Sequence, residues 1–529
     1  MNGGSVCFAL ILALVFACEK IEPERIVKIS TEGISGIQYS SAVVQGSFID
    51  MSEKGVTEHG HCWSIHENPT ISDPHKMLGS RKDKGSFQSQ LDELTPGTLY
   101  YVRAYAQTGD AVIYGENKSF STLAAELPTV NTTEPYDILM NYGKCGGDVT
   151  ADGGFPVTAR GICWNTTGDP SLEDDHVEKG SGLGTYEVEL TGLASRTKYY
   201  VKAWATNQVG TNLGNQVIFT TSDLPQVGIT DIGTVKPNSI ECFSNVTDNG
   251  GAEILSRGFC WDRDPDPGLS EANIEAGNGP GDFSKTIPEL SAATQFFIRA
   301  YATNINGTTY GQEIVVTTPF TDSRNFKTYP VVKIGEQYWM AENLDYGTFI
   351  NSSEDQTDNS VIEKYCYNNN EDNCALYGGY YTWSEMMQYV NTESAQGVCP
   401  SGWHVPSDVE WKMLEMNIGM SLESADSVGW RGTNEGGKLK AIGTELWESP
   451  NEGATNESGF NALPNGYFDV TEVVPNDKFK GVGSTATFWT TTSDEEFTRY
   501  YHHLDYSTAK IFRTTGYSGN GTPVRCVKD

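Results

Sequence analysis

Apolar and polar positions alternate along most of this chain, the pattern of half-buried β-strands. Three segments carry it most clearly: LTPGTLYYVRAYAQ from Leu94, LASRTKYYVKAWATN from Leu193 and LSAATQFFIRAYATN from Leu290. Each is followed by a Gly-containing turn and a strand that runs into Thr, as SFSTL, VIFTT and IVVTT. Helical periodicity is confined to two places, where Thr382-x-x-Glu385 and Ser407-x-x-Glu410 form capping boxes ahead of apolar-periodic runs. Ahead of all these, Val6 to Ala17 is a continuous apolar run, too short to span a bilayer and the size of a signal-peptide core. The pattern predicts an exported, mostly β chain, and at 529 residues it is too long for a single core.

The dipeptide Cys-Trp recurs at 62/63, 163/164 and 260/261, spacings of 101 and 97 residues that fit repeated β-sandwich domains. Pro-containing joints, ELPTV near 126 and DLPQV near 223, mark the seams. The repeats resemble fibronectin type III domains in a form frequent in Bacteroidetes surface proteins. Their most specific feature is the Leu-x-x-x-Thr-x-Tyr corner, matched at Tyr100 and Tyr199 and replaced by Phe296 in the third repeat. The resemblance implies sandwiches over 26–122, 127–221 and 224–318, with a tyrosine hydroxyl bonded to upstream backbone in the first two.

The stretch EHGHCW puts His59, His61 and Cys62 within four positions and raises the question of a zinc site. In the other repeats, His59 aligns with Arg160 and Arg257, and His61 with Ile162 and Phe259. Strand alternation sends 59 and 61 to one face and 62 to the other, so a solvated strand is the expectation and no metal is assigned. Cys145 and Cys163 lie 18 apart, as do Cys242 and Cys260. That repeated spacing points to a disulfide in each of the second and third repeats, with Cys62 left over because Val44 holds its partner's place.

From about residue 325 the character changes to short strands and Gly/Asn turns, which with two short helices indicates an α+β domain. The motifs YPVVKIGEQYWMAENLDYGTFI, GVCPSGWHVPSDVEWKML, ATFWTTTSD and VRCVKD closely resemble the Fibrobacter succinogenes major paralogous domain over 325–529. That family is similar to the C-type-lectin-like fold. The resemblance implies bonds between Cys399 and Cys526 and between Cys366 and Cys374. The Glu-Pro-Asn and Trp-Asn-Asp signatures of calcium-dependent sugar binding are missing. His404 in GWHVP is expected to make structural hydrogen bonds. Trp339, Trp383, Trp403, Trp411 and Trp489 are expected in the core. The stretch TRYYHHLDY, rich in Tyr, has the composition of an adaptable binding surface, and makes Tyr500, Tyr501, His502, His503 and Tyr506 the candidate ligand-binding residues.

Composition narrows the function. A formal net charge of −33 repels phosphate backbones and argues against nucleic acid as a partner. After the apolar run the chain turns polar at Cys18, which resembles the lipobox of bacterial lipoproteins. The resemblance implies a signal peptide over 1–17, acylation of Cys18, a linker over 18–25 and a membrane reached through the lipid alone. Together these readings predict three tandem sandwiches and a terminal domain displayed on the outer membrane to an extracellular glycan or protein, with no cofactor and no catalytic residues. The competing readings are a structural part of a surface assembly and a polysaccharide-active enzyme. The second requires a pair of carboxylates at working distance, and no motif fixes one.

Overall fold

The computed structural model describes residues 26–109, 111–495 and 497–529. The predicted signal peptide, the linker and Cys18 lie outside the described residues. The chain divides into two compact units, one ending at Ser222 and one beginning at Asp223.

The first unit holds two β-sandwiches. In the first, Lys28–Ser35, Ala42–Asp50 and Gly85–Leu91 form a three-stranded antiparallel sheet. It packs on a sheet built from His75–Met77, Glu58–Ser64 and Leu99–Thr108, whose last strand pairs with both Ala111–Tyr114 and Lys118–Ser121. Alternation decides what each strand buries: Tyr100, Val102 and Ala104 face the core, while Tyr101 and Arg103 between them are half-buried. The second sandwich repeats this plan with Thr129–Thr132, Tyr142–Ala151 and Gly184–Thr191 against a sheet centred on Ala159–Asn165 and Lys198–Thr206. The tyrosine corners form, with Thr95 N–H donating to Tyr100 Oη at 3.0 Å and Ala194 N–H to Tyr199 Oη at 2.9 Å.

Asn207 pins the joint between these sandwiches: its Nδ2 donates to Glu126 O and Asp152 O, each at 2.8 Å. The second unit opens with the third sandwich, where Asn304 Nδ2 donates to Asp223 O at 2.7 Å and Asn249 O at 3.0 Å. The equivalent position in the first sandwich is Thr108. In the third, Phe296 is buried at the corner position and brings no hydroxyl. The terminal domain docks beside that corner, with Lys528 Nζ donating to Ala293 O at 2.9 Å and Gln295 N–H to Tyr338 Oη at 3.3 Å.

Two sequence expectations for the sandwiches fail. Cys145, Cys163, Cys242 and Cys260 are free, as is Cys62. The physical reason is alternation: Cys145 and Cys242 point into their cores together with Ile162 and Phe259. Cys163 and Cys260, one position further on, therefore face the outside of the opposing sheet, where Cys260 Sγ lies 3.3 Å from Pro267 O. Likewise the strand Glu58–Ser64 is not solvated. His59 and His61 are 5% and 0% exposed and pack on Phe48 and Phe87, while Cys62 turns the other way onto Pro69 O.

The terminal domain is α+β. Its main sheet has eight strands, and Asn465–Phe468, Thr485–Glu495, Thr498–Asp505, Ile511–Tyr517 and Gly429–Arg431 are successive neighbours in it. A second, four-stranded sheet joins Val331–Ile334, Gln337–Met340, Val527–Lys528 and Trp403–His404. The helix Asp408–Asn417 starts at a complete Ser407/Glu410 capping box, and Thr382 caps Trp383–Met386. Three further helices, Asp372–Tyr377, Leu422–Asp426 and Glu435–Leu439, are one or two turns long, too short for periodicity to reveal. Trp339, Trp383, Trp403, Trp411 and Trp489 are all buried. Cys366 bonds Cys374, and Cys399 bonds Cys526 across 127 residues.

Candidate functional site: an aromatic cradle on the main sheet

The strand Thr498–Asp505 lies in mid-sheet, between Thr485–Glu495 and Ile511–Tyr517. Its side chains alternate between two different environments, and register fixes which residues of the neighbouring strands join each. Phe488 sits opposite His502, and His502 opposite Arg513. Thr487 and Trp489 sit opposite His503 and Tyr501, and His503 opposite Phe512.

The first face is packed beneath the helix Asp408–Asn417. His502, 1% exposed, stacks on Trp411 with ring centroids 4.9 Å apart. Its Nδ1 lies 2.7 Å from Glu415 Oε1 and its Nε2 3.1 Å from Asp408 Oδ1. Arg513 grips Asp408 through Nε at 2.6 Å and Nη2 at 2.7 Å, and Arg431 grips Glu415 through both terminal nitrogens. Burial by itself raises the Asp408 pKa, but hydrogen bonds from His502 and Arg513 outweigh it and hold the carboxyl well below its ordinary range. Every charge here has an opposite partner, so this face is a closed ionic core.

The second face carries a cavity of about 200 Å³ lined by Tyr467, Thr487, Trp489, Tyr501, His503, Gly516, Asn520 and Thr522. Trp489 forms the deep wall: it meets Tyr501 edge-on at 5.7 Å and donates Nε1–H to Asn520 O at 3.1 Å. His503 Nδ1 is fixed by Thr487 Oγ1 at 3.0 Å, and Nε2 has no hydrogen-bond partner among the described residues. Among the described residues the hydroxyls of Tyr467 and Tyr501 make no hydrogen bond, and burial raises both phenol pKa values. Burial also lowers the His503 pKa to about 4, with Asp505 opposing weakly, so the ring is neutral near pH 7. Gly516 keeps the cavity open, since a Cβ there would lie 2.9 Å from Tyr501 Cε1 and 3.2 Å from Trp489 Cη2.

Five residues were candidates from composition, and the structure divides them. Tyr501 and His503 line the cradle. His502 is sealed in the ionic core, Tyr500 lies under the Arg513 guanidinium at 4.3 Å, and Tyr506 packs against the core around Trp411. These three are therefore not part of the cavity. Tyr467, Thr487, Trp489, Gly516, Asn520 and Thr522 were missed as contributors because only strand register and the fold of the 516–522 segment bring them beside Tyr501. The parity of ATFWTTT and RYYHHLD was a usable signal for Thr487 and Trp489, given the pairing. His404 is bridged by Glu410 at 2.7 Å and Asp529 at 2.6 Å, a structural role.

Residues 332–528 match the family model of the Fibrobacter succinogenes major domain. No curated protein matches the chain. Among solved structures, a run of titin domains is 14% identical, covering 56% of this chain and 99% of that one, with a TM-score of 0.32. The FN1–FN3 domains of chicken CNTN1 are 13% identical, covering 55% of this chain and 97% of that one, with a TM-score of 0.20.

Proposed function

We propose that this protein is a non-enzymatic, lipid-anchored binding protein of the bacterial outer surface. Its sandwiches present the terminal domain, which resembles the C-type-lectin-like fold, to an extracellular glycan or protein. The cradle of Tyr467, Trp489, Tyr501 and His503 is the contact site. The observation that carries this reading is a preformed cavity whose aromatic walls hold two phenol hydroxyls and an imidazole nitrogen without hydrogen-bond partners among the described residues. Polar atoms left free beside apolar rings are what a ligand needs for orientation and for burial together.

The proposal assigns no catalysis to the cradle. Thr487 and His503 are paired with no third group orienting the imidazole among the described residues, and a pKa near 4 makes it a weak base at neutral pH. None of the eight lining residues is a carboxylate. Acylated Cys18 is the proposed anchor; no helix among the described residues is long and apolar enough to cross a membrane. The high acidity of the chain excludes nucleic acid from the proposal.

The test is a screen of the purified full chain against immobilised glycans, mucins and matrix proteins. Tyr467→Phe and Tyr501→Phe serve as cradle variants that remove one hydroxyl each. Saturable binding weakened by either variant supports the proposal. Binding that neither variant changes places the contact elsewhere and removes it.

A further inference from the structure

The cradle does not end at His503. On the same face of the sheet His503 meets Phe512 at 6.2 Å, and Phe512 meets Trp430 at 5.0 Å. Trp430 pairs directly with Phe512 in the adjoining strand and is 46% exposed. Trp489, Tyr501, His503, Phe512 and Trp430 thus make one row of rings crossing four neighbouring strands. At about 4.8 Å per strand the row spans roughly 15 Å, room for about three sugar rings.

The polar groups along this row are mixed in type. The Tyr467 and Tyr501 hydroxyls both donate and accept, His503 Nε2 is free, and the Asn520 side chain, whose Oδ1 accepts from Val470 N–H at 3.3 Å, keeps its amide nitrogen available. A proline-rich peptide offers chiefly carbonyl acceptors, whereas a saccharide offers hydroxyls that match both kinds of group. Charge narrows the class further. No lining residue is ionised near neutral pH, and the charges that act on Tyr467 and His503 are engaged: Asp505 accepts from Ser507 N–H at 2.8 Å, Asp469 from Thr471 N–H at 2.9 Å, and Lys480 pairs with Glu472 at 2.9 Å. With no cationic side chain among the described residues lining the cavity and a chain of net charge −33, a polyanionic glycan is disfavoured. With no carboxylate in the lining, the site offers a calcium ion no charged oxygen ligand.

Resting on the binding-head reading above, we propose that the cradle takes a linear, neutral saccharide chain without a metal ion. One ring sits against Tyr501 and Trp489, and the chain continues over Phe512 to Trp430. The experiment is calorimetric titration of the full chain with β-1,4-linked gluco-, manno- and xylo-oligosaccharides of one to six residues, with and without EDTA. Affinity in at least one series should rise about tenfold or more as the chain lengthens, the worth of one added ring contact of ordinary strength. Trp430→Ala should remove that gain and leave the affinity of the shortest binder within about twofold, EDTA having no effect.

Binding that does not grow with length, binding abolished by EDTA, or no binding in any series overturns the proposal. If no saccharide binds but Tyr501→Phe weakens capture of a matrix protein, the binding-head reading survives and only the saccharide assignment falls. If saccharides bind and neither Tyr467→Phe nor Tyr501→Phe alters their affinity, the cradle itself is the wrong site.

Discussion

His502 and His503 are adjacent in the chain and serve opposite faces of one strand: His502 lies between Asp408 and Glu415 in a sealed ionic core, while His503 lines an open cavity. Their substitutions should therefore separate stability from binding. His502→Ala leaves two buried carboxylates with fewer partners and should cost on the order of 3 kcal/mol. That corresponds to roughly 6 to 12 °C in the melting temperature of the terminal domain. His503→Ala should leave melting nearly unchanged and weaken ligand capture. Scanning calorimetry beside a binding titration checks both; a large stability loss in His503→Ala would contradict the division of faces.

Gly516 gives a second handle on the cradle. A side chain there meets Tyr501 and Trp489, so Gly516→Val should occlude the cavity and displace both rings. Binding should fall by about tenfold or more, the equivalent of the ordinary cost of overpacking. Unaltered far-ultraviolet dichroism together with lost binding is the expected result, and full binding by a folded Gly516→Val variant would argue that the ligand sits elsewhere.

The thiols of the sandwiches should be inert in the native protein. Burial pushes Cys62 and Cys242 up to about 12 and Cys145, Cys163 and Cys260 up to about 11, so almost no thiolate exists at neutral pH. Alkylation followed by mass mapping should modify none of the five before unfolding and all five after it. A peptide containing Cys145 linked to Cys163 would refute the outward orientation of Cys163.

The bond between Cys399 and Cys526 should behave differently. Closing 127 residues restricts the unfolded chain, an effect worth about 5 kcal/mol in the chain-entropy picture. The double variant Cys399→Ala, Cys526→Ala should accordingly unfold at markedly lower urea concentration in the terminal domain, with the sandwiches unaffected. Coincident urea midpoints for variant and parent would show that the bond adds little.

His61 makes the first sandwich sensitive to acid. Burial lowers its pKa to about 4 from an unfolded value near 6.5. Between these values the unfolded chain holds a proton that the folded sandwich rejects, so stability rises with pH. The contribution, on the order of 3 kcal/mol, is fully present above about pH 6.5 and is lost as pH falls to about 4. His59 is shifted in the same direction by burial. Hydrogen exchange of Glu58–Ser64 at pH 7 and pH 4.5 tests this, and His61→Gln should flatten the dependence.

Much of the architecture was legible in the chain because it is written in local periodicity. The repeated strand LYYVRAYAQ, KYYVKAWAT or QFFIRAYAT buries one parity whatever lies opposite it, and capping at Ser407 needs only the next three residues. The terminal disulfides were implied by motif resemblance. Spacing alone misled for Cys145 and Cys163, where the parity of Ile162 and Cys163 was the better guide. The solvated reading of His59 and His61 fails because a polar side chain need not be exposed: Phe48 and Phe87 pack on the His59 ring and Phe87 on that of His61.

The amino-acid sequence by itself determined where strands run, how many sandwiches the chain forms and that a tyrosine-rich strand lies near 500. Tertiary structure alone decided which of those tyrosines and histidines meet solvent. A strand has two faces, and composition is blind to which is inward. Only the helix Asp408–Asn417 settling on one side of the sheet, and strand register setting Trp489 beside Tyr501, make His502 an ionic anchor and His503 part of a binding surface.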